Sequence, residues 1–139
     1  MAQPRILIIE DERGLVQSLS WYFKREGFAV AVADDGLAGL HLAQVDSPDV
    51  ILLDWMLPGM SGLDVCRELR AGERTRDIPI IIVTARTEKV DEARSYAAGA
   101  DDYVTKPFSN KSLLARVRTL LTSGEDRPAT SASALTQQP

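Results

Sequence analysis

Cysteine and histidine each occur only once in the 139 residues, as Cys66 and His41. A single cysteine excludes a disulfide framework and a cysteine-based zinc site. A single histidine excludes a metal motif that needs two histidines. A lone cysteine is also typical of a protein kept in a reducing compartment, so we expect a cytoplasmic location.

Basic charge and long apolar runs are also scarce. The net charge is −4 and the pI is about 5.0, which argues against a nucleic-acid-binding surface within these residues. The apolar runs, such as residues 50–53, are far shorter than the roughly 18 residues that a membrane-spanning helix needs. No signal peptide is recognisable at the start of the sequence. We therefore expect no membrane association.

Short apolar runs alternate with helix-like stretches along the chain. The runs are continuously apolar, as expected for strands buried on both faces of a parallel sheet. The predicted strands are residues 6–9, 29–33, 50–53, 80–83 and 103–104. The predicted helices include residues 15–23, with Gly27 as the cap, and residues 35–46, 62–71, 88–98 and 113–121, with Ser109 at the N-cap of the last. This order predicts an α/β fold in which a five-stranded parallel sheet carries helices on both faces.

The fourth predicted helix is the least apolar. Val90 is its only large aliphatic residue, and alanines supply the rest of its apolar face. A helix that buries little is one that can move. Elsewhere, Cys66, Trp21 and Trp55 are expected to pack in the protein rather than bind a ligand.

The composition changes near residue 122. The following residues are rich in serine, threonine and alanine, without aromatic residues or periodicity. We therefore interpret residues 1–122 as one domain and residues 123–139 as a disordered tail or the start of an interdomain linker. A linker to a further domain is the favoured alternative.

Polar side chains stand where four of the predicted strands end. Glu10 and Asp11 follow the first strand, Asp54 the third and Thr84 the fourth, and Lys106 comes just after the fifth. Ligands of an open parallel sheet bind outside the carboxyl ends of its strands, so these residues are predicted to meet at one edge. Crowded carboxylates repel one another unless a cation joins them, and an all-oxygen donor set suits Mg²⁺. A lysine and a hydroxyl opposite a metal ion are typical of a site that recognises a phosphoryl group.

Each of these residues also has an ordinary explanation when it is taken alone. A carboxylate after a strand often only caps the next helix, as Asp11 or Glu12 would. A threonine is common at a strand end, and a lysine is usually a solvated charge. Asp54 is harder to dismiss, because an unpaired carboxylate at the end of a buried strand is costly or takes up a proton. The joint occurrence at four strand ends favours a functional site.

Four separated motifs occur in a fixed order. They are Ile-Leu-Ile-Ile-Glu-Asp-Glu at residues 6–12, Leu-Asp-Trp-Met-Leu-Pro-Gly-Met-Ser-Gly at 53–62, Val-Thr-Ala at 83–85 and Gly-Ala-Asp-Asp-Tyr-Val-Thr-Lys-Pro-Phe at 99–108. Together they resemble the receiver domain of a two-component response regulator, most closely the subfamily with a winged-helix DNA-binding output domain. The resemblance covers about residues 3–122. It implies a flavodoxin-like (βα)5 fold with the strand order 2-1-3-4-5.

The resemblance implies that Asp54 is a phosphoacceptor. Its carboxylate would attack the phosphoryl group of a phosphohistidine on a sensor histidine kinase and become an aspartyl phosphate. Asp11 directly, Glu10 through water, Asp54 itself and the backbone carbonyl of Met56 would hold Mg²⁺. The ion and the Lys106 ammonium would neutralise charge on the phosphoryl oxygens. The chain would then be a signalling domain, not an enzyme that acts on a separate substrate.

The resemblance also implies a conformational switch. The Thr84 hydroxyl would hydrogen-bond the phosphoryl group, and its reorientation would leave room for the Tyr103 ring to turn inward. The surface that changes would be formed by the fourth helix, the fifth strand and the fifth helix. By itself, Tyr103 has the ordinary interpretation of an amphipathic residue at a strand edge. The Lys106–Pro107 peptide is often cis in the family, although trans is the general default.

Two positions are expected to set the lifetime of the phosphate. Met56 and Arg86 stand two residues after the phosphoacceptor and two after the threonine, positions that line the path of the attacking water in the family. Neither side chain is a general base, so we expect slow self-hydrolysis, as suits transcriptional control.

Members of the subfamily commonly form homodimers through the fourth helix, fifth strand and fifth helix, with ion pairs across that surface. Arg94, Asp101, Asp102 and Arg116 stand at matching positions. Ser112 replaces a glutamate that is usual near the start of the last helix, which removes a partner for Arg94. Surface ion pairs contribute only about 0 to 1 kcal/mol each, so the expectation of a homodimer is weakened but kept. DNA binding would come only from an output domain that these residues do not include.

Three alternatives share this topology. A phosphate-independent interaction module would not need the five polar residues at the strand ends, all of which are present. A phosphatase or phosphotransferase of the aspartyl-phosphate type would need a second aspartate two residues after Asp54, where Met56 stands. A flavin-binding domain would need a glycine- and hydroxyl-rich loop after the first strand, where three acidic residues would instead repel a phosphate.

Overall fold

Strands and helices alternate throughout residues 3–125, which are the residues that the computed structural model describes. The elements are β1 (Arg5–Ile9), α1 (Arg13–Arg25), β2 (Ala29–Ala33), α2 (Gly36–Asp46), β3 (Val50–Asp54), α3 (Gly62–Ala71), β4 (Ile80–Thr84), α4 (Lys89–Ala98), β5 (Asp102–Thr105) and α5 (Asn110–Glu125). All strand pairs are parallel and their order is β2-β1-β3-β4-β5, which confirms the predicted fold. The predicted tail lies outside the described residues from residue 126 onward.

Helices cover both faces of the sheet. Successive strand residues point to opposite faces. Leu7 and Ile9 therefore join the core shared with α2, α3 and α4, whereas Ile6 and Ile8 join the core shared with α1 and α5. Burial on both faces explains why β1, β3 and β4 are almost continuously apolar.

Short polar side chains cap the start of three helices. Asp35 accepts a hydrogen bond from the Ala38 N–H at 2.8 Å, and Ser61 accepts one from the Asp64 N–H at 3.3 Å. Ser109 accepts one from the Ser112 N–H at 3.0 Å, which confirms the predicted cap of α5. Glu12 stands at the start of α1 without a side-chain capping bond, so capping does not account for its carboxylate. None of the helices within residues 3–125 is both long enough and apolar enough to cross a bilayer.

The buried face of α4 is mostly polar. Val90, the only large aliphatic residue of the helix, is 61% exposed. The buried residues are instead Asp91, Ser95 and Ala98, which follow one another at helical spacing along a single stripe. Two of these three residues are polar, so the helix contributes little apolar surface to the core.

The two tryptophans also differ from each other. Trp55 is buried, as is Cys66, and both confirm the expected packing. Trp21 is exposed, and the prediction for it is wrong. Its position in α1 lies midway between the buried residues Leu19 and Phe23, which places it away from the core-facing stripe.

Candidate functional site

The carboxyl ends of the strands bring the five predicted polar residues to one edge of the sheet. Glu10 and Asp11 follow β1, Asp54 and Thr84 are the last residues of β3 and β4, and Lys106 follows β5. Asp54 is 5% exposed and Glu10 4%, and Thr84 is fully buried. Asp11 is exposed, so the cluster meets solvent on its side.

Lys106 reaches across this edge to two carboxylates. Its Nζ lies 3.0 Å from Glu10 Oε1 and 3.7 Å from Asp54 Oδ1. The backbone N–H of Lys106 donates to the Thr84 carbonyl oxygen at 2.8 Å, which ties the loop after β5 to β4. The Lys106–Pro107 peptide in this loop is cis. The lysine is therefore held beside the candidate nucleophile.

The surroundings raise the pKa of Asp54. Burial and the charge of Glu10 move it from 3.8 to about 6, although Lys106 and the Met56 N–H, 3.4 Å from Asp54 Oδ1, act in the opposite direction. Burial also lowers the pKa of Lys106, but the hydrogen bond to Glu10 and the charge of Asp54 outweigh it, so this pKa is raised. The lysine is therefore charged at neutral pH, and the carboxylates outnumber it.

The same carboxylates form a set that could share a cation. One oxygen from each of Glu10, Asp11 and Asp54 lies within 4.8 Å of the other two. All three donors are hard oxygen atoms, with no thiolate or imidazole among them, which is the donor type that Mg²⁺ takes. The raised pKa of Asp54 reflects burial first and the charge of Glu10 second, and a divalent cation bound here would stabilise the ionised carboxylate. The residues present therefore fit the predicted metal.

A glycine allows the chain to turn directly beside Asp54. The Gly62 N–H donates to the Trp55 carbonyl oxygen at 2.8 Å and closes the loop between β3 and α3. A β-carbon at position 62 would collide with the backbone oxygen of Asp54. Only glycine permits this close approach, and the resulting loop holds Met56 next to the carboxylate.

The two predicted switch residues are linked through the backbone of Arg86. Thr84 Oγ1 accepts a hydrogen bond from the Arg86 N–H at 3.2 Å, and the Tyr103 hydroxyl donates one to the Arg86 carbonyl oxygen. Tyr103 is buried in this structure, with its hydroxyl bonded to that backbone. Burial and the carboxylates of Asp91 and Glu92 raise the pKa of Tyr103, which keeps the phenol protonated as a donor.

The sequence predicts Arg86 near the path of water but not the contacts of its side chain. The guanidinium carbon lies 4.7 Å from the centre of the Trp55 ring, and Nη1 lies 3.6 Å from Met56 Sδ. Nε donates to Asp91 Oδ2 at 3.2 Å. Asp91 was not predicted as part of the site. The only signal for it in the sequence is an acidic residue in the first turn of the least apolar helix, five residues after the arginine.

The residues predicted at a dimer surface are partly engaged within the chain. Arg116 Nη1 donates to both carboxylate oxygens of Asp102, at 2.8 and 2.9 Å. Asp101 binds Arg70 at 2.9 Å and also accepts a backbone N–H at the start of β4. Arg94 is exposed on α4. Asp102, Arg116 and Arg94 therefore lie on the predicted surface, whereas Asp101 fastens α3 to the sheet.

Comparison with known proteins agrees with this arrangement. Residues 6–118 match the family described as the response regulator receiver domain. The DNA-binding response regulator MtrA of Mycolicibacterium smegmatis is 47% identical over 125 residues, which cover 90% of this chain and 54% of MtrA. The chain thus spans about half the length of the curated relatives it matches.

Solved structures show the same fold. The receiver domain of the Francisella response regulator 1452 superposes with a TM-score of 0.82 at 32% identity, covering 87% of this chain and 98% of that one. The receiver domain of the sensor histidine kinase PA1611 from Pseudomonas aeruginosa gives a TM-score of 0.77 at 30% identity, covering 88% of this chain and 99% of that one. The PA1611 structure holds a magnesium ion in its active-site cleft.

Proposed function

This chain belongs to the family of response regulator receiver domains, and from that premise we propose that it accepts a phosphoryl group on Asp54. One observation carries the proposal. The buried Asp54 carboxylate lies at the ligand-binding edge of the sheet, 3.7 Å from the Lys106 ammonium and beside two further carboxylates. The domain is a signalling domain whose chemistry modifies itself.

Asp54 is the nucleophile of the proposed reaction. One of its oxygens attacks the phosphorus of a phosphohistidine on a sensor histidine kinase. A new oxygen–phosphorus bond forms while the phosphorus–nitrogen bond breaks, and the electrons of that bond stay on the imidazole nitrogen. Attack needs the ionised carboxylate, and a pKa of about 6 leaves Asp54 mostly ionised above pH 7.

Lys106 and Thr84 are placed to bind the transferred group. The Lys106 ammonium already lies beside Asp54, so it reaches a phosphoryl oxygen with a small movement. Thr84 Oγ1 accepts a hydrogen bond from the Arg86 N–H, and this leaves the hydroxyl proton to donate to the phosphoryl group. Both groups act on negative charge that develops during transfer.

Glu10, Asp11, Asp54 and the backbone carbonyl of Met56 would hold Mg²⁺ in the proposed site. When bound, the ion supplies positive charge that offsets the carboxylates and the phosphoryl oxygens. The contribution of this chain is a donor set of the right chemistry at the correct edge of the sheet. A magnesium ion in the cleft of the PA1611 receiver supports the assignment.

The proposed output is a change in the surface formed by α4, β5 and α5. A new hydrogen bond from the Thr84 hydroxyl to the phosphoryl group would reposition Thr84 and with it the Arg86 backbone, whose N–H is bonded to Thr84 and whose carbonyl oxygen holds the Tyr103 hydroxyl. Phosphorylation would then favour homodimerisation through this surface, with exposed Arg94 and the Asp102–Arg116 pair upon it. By analogy with MtrA, control of transcription would need a DNA-binding domain outside these residues. A cytoplasmic location stays a prediction.

The test is intact-mass spectrometry after incubation with acetyl phosphate, with and without Mg²⁺. We expect one phosphoryl group on the wild type only when Mg²⁺ is present, and none on Asp54→Asn. The matched control is Asp64→Asn, which removes an exposed aspartate on α3 and should be phosphorylated like the wild type.

Two outcomes contradict the proposal. The first is equal phosphorylation of Asp54→Asn, which would assign the acceptor to another residue. The second is no phosphorylation of a folded wild type that also fails to bind beryllofluoride, which would favour a phosphate-independent interaction module.

A further inference from the structure

Arg86 joins parts of the molecule that are far apart in the sequence. Its backbone contacts both predicted switch residues, and its guanidinium lies over the Trp55 ring, 3.6 Å from Met56 Sδ. Met56 in turn donates its backbone N–H to Asp54 Oδ1. The guanidinium therefore contacts the residue whose backbone N–H is bonded to the candidate nucleophile.

Asp91 holds this guanidinium from the opposite side. Its side chain is 8% exposed, and Oδ2 accepts from Arg86 Nε at 3.2 Å, whereas the second cation near it, Arg94, is 3.8 Å away. The Arg86 side chain is 39% exposed, and without this anchor only its contacts with Trp55 and Met56 would keep it from extending into solvent. A buried carboxylate that faces a partly exposed guanidinium fixes where the guanidinium lies.

We propose that Asp91 is a positioning residue that holds Arg86 over the Trp55–Met56 loop and thereby limits the access of water to phosphorylated Asp54. This inference rests on the proposed function and adds to it a control of phosphate lifetime by α4. A partner that displaces Asp91 would therefore shorten the lifetime of the phosphate.

The reaction concerned is hydrolysis of the aspartyl phosphate. A water oxygen forms a bond to phosphorus while the bond from phosphorus to the Asp54 oxygen breaks. The electrons of that bond return to the carboxylate, and the water releases a proton to solvent, so inorganic phosphate and free Asp54 result. Neither Arg86 nor Met56 is a base that could take that proton. The role of Arg86 is therefore to occupy space, and Asp91 determines whether that space stays occupied.

The test is the lifetime of the phosphate in a double-mutant cycle. The wild type, Asp91→Ala, Arg86→Ala and the double variant are phosphorylated with acetyl phosphate and desalted, and loss of phosphate is followed by intact mass. We expect each single variant to lose phosphate on the order of fivefold faster than the wild type, and the double variant to lose it no faster than Arg86→Ala. The matched control is Glu92→Ala, which truncates an exposed acidic residue in the same turn of α4 and should leave the lifetime unchanged.

The cycle separates positioning from a merely structural role. If Asp91 only stabilised α4, Asp91→Ala would speed phosphate loss by the same factor in the Arg86→Ala background as in the wild type. The double variant would then lose phosphate faster than Arg86→Ala, and this result would overturn the inference. An unchanged lifetime in Asp91→Ala would also overturn it. A longer lifetime would do so as well, because it would mean that the released guanidinium binds the phosphoryl group. Failure of the wild type to take up phosphate is scored first and would refute the proposed function itself.

Discussion

Replacing Asp54 with asparagine should make the magnesium-free protein more stable. The carboxylate is almost fully buried, and Glu10 is close enough to repel it. Lys106 offsets only part of this cost, since the pKa of Asp54 still stands at about 6. Asparagine keeps the size and shape of the side chain and removes its charge. The nucleophile of the proposed reaction is thus a residue that the fold accommodates at a cost.

The sign and size of the effect follow from the two pKa values. The folded-state pKa of about 6 is higher than the ordinary value of 3.8, so the folded protein binds more protons between these values. Stability therefore falls as the pH rises through that window and levels off above it. A shift of about 2 units at 1.36 kcal/mol per unit makes the ionised carboxylate cost about 3 kcal/mol. We expect Asp54→Asn to raise the free energy of unfolding by about 2 to 3 kcal/mol at pH 7.5 and by less than about 1 kcal/mol at pH 4.

Urea unfolding followed by circular dichroism, in buffer with a chelator, measures this difference. Asp64→Asn is the matched control, because that aspartate is 58% exposed and pairs only with Arg67 on the same helix. Its substitution should change stability by about 0.5 kcal/mol or less at either pH. A gain for Asp54→Asn that is no larger than the control, or that is equal at both pH values, would refute the electrostatic account of the site.

Three further outcomes test other parts of the structure. Tyr103→Phe should lower the free energy of unfolding by about 1 kcal/mol, because the Arg86 carbonyl oxygen loses its hydroxyl donor; an unchanged urea midpoint would contradict that bond. Gly62→Ala should cost about 3 kcal/mol, because its β-carbon would meet the backbone of Asp54, whereas Gly14→Ala in open space on α1 should be neutral or stabilising; similar urea midpoints would refute the close approach. Mg²⁺ at 100 times its Kd should stabilise the folded wild type by about 2.7 kcal/mol and so raise its Tm. The Tm of Asp54→Asn should rise less, and equal thermal shifts would remove Asp54 from the ligand set.

The sheet could be predicted because its signal is local and strong. Continuous apolar runs identified β1, β3 and β4, and burial on both faces is the reason for those runs. The strands extend one residue further than the apolar runs predict in β3 and β4, where the added residues are Asp54 and Thr84. A polar residue ends an apolar pattern but does not end backbone pairing, so these two residues belong to the strands rather than to the loops that follow.

The position of the site could be predicted for a similar reason. Parallel strands place their carboxyl ends together, so a residue just after one strand is near a residue just after another. This argument located Glu10, Asp54 and Lys106 without any knowledge of side-chain contacts. It could not predict which carboxylate lies nearer to Lys106. The ammonium is 3.0 Å from Glu10 and 3.7 Å from Asp54, a difference that only the folded cluster determines.

The sparse apolar surface of α4 could be predicted, but the polar residues that it buries could not, and they bear on how the domain would work. Val90, the only large aliphatic residue of the helix, is exposed, and the helix buries Asp91 against Arg86 and a serine, Ser95, whose hydroxyl has no hydrogen-bond partner among the described residues. A helix held by apolar packing would stay in place when charge changes nearby, because dispersion and hydrophobic forces do not respond to charge. A helix held by an ion pair to Arg86 would respond, because that arginine also contacts the loop after Asp54 and both predicted switch residues. The weak apolar pattern of α4 is therefore what we expect of a helix whose position would depend on the proposed phosphorylation site.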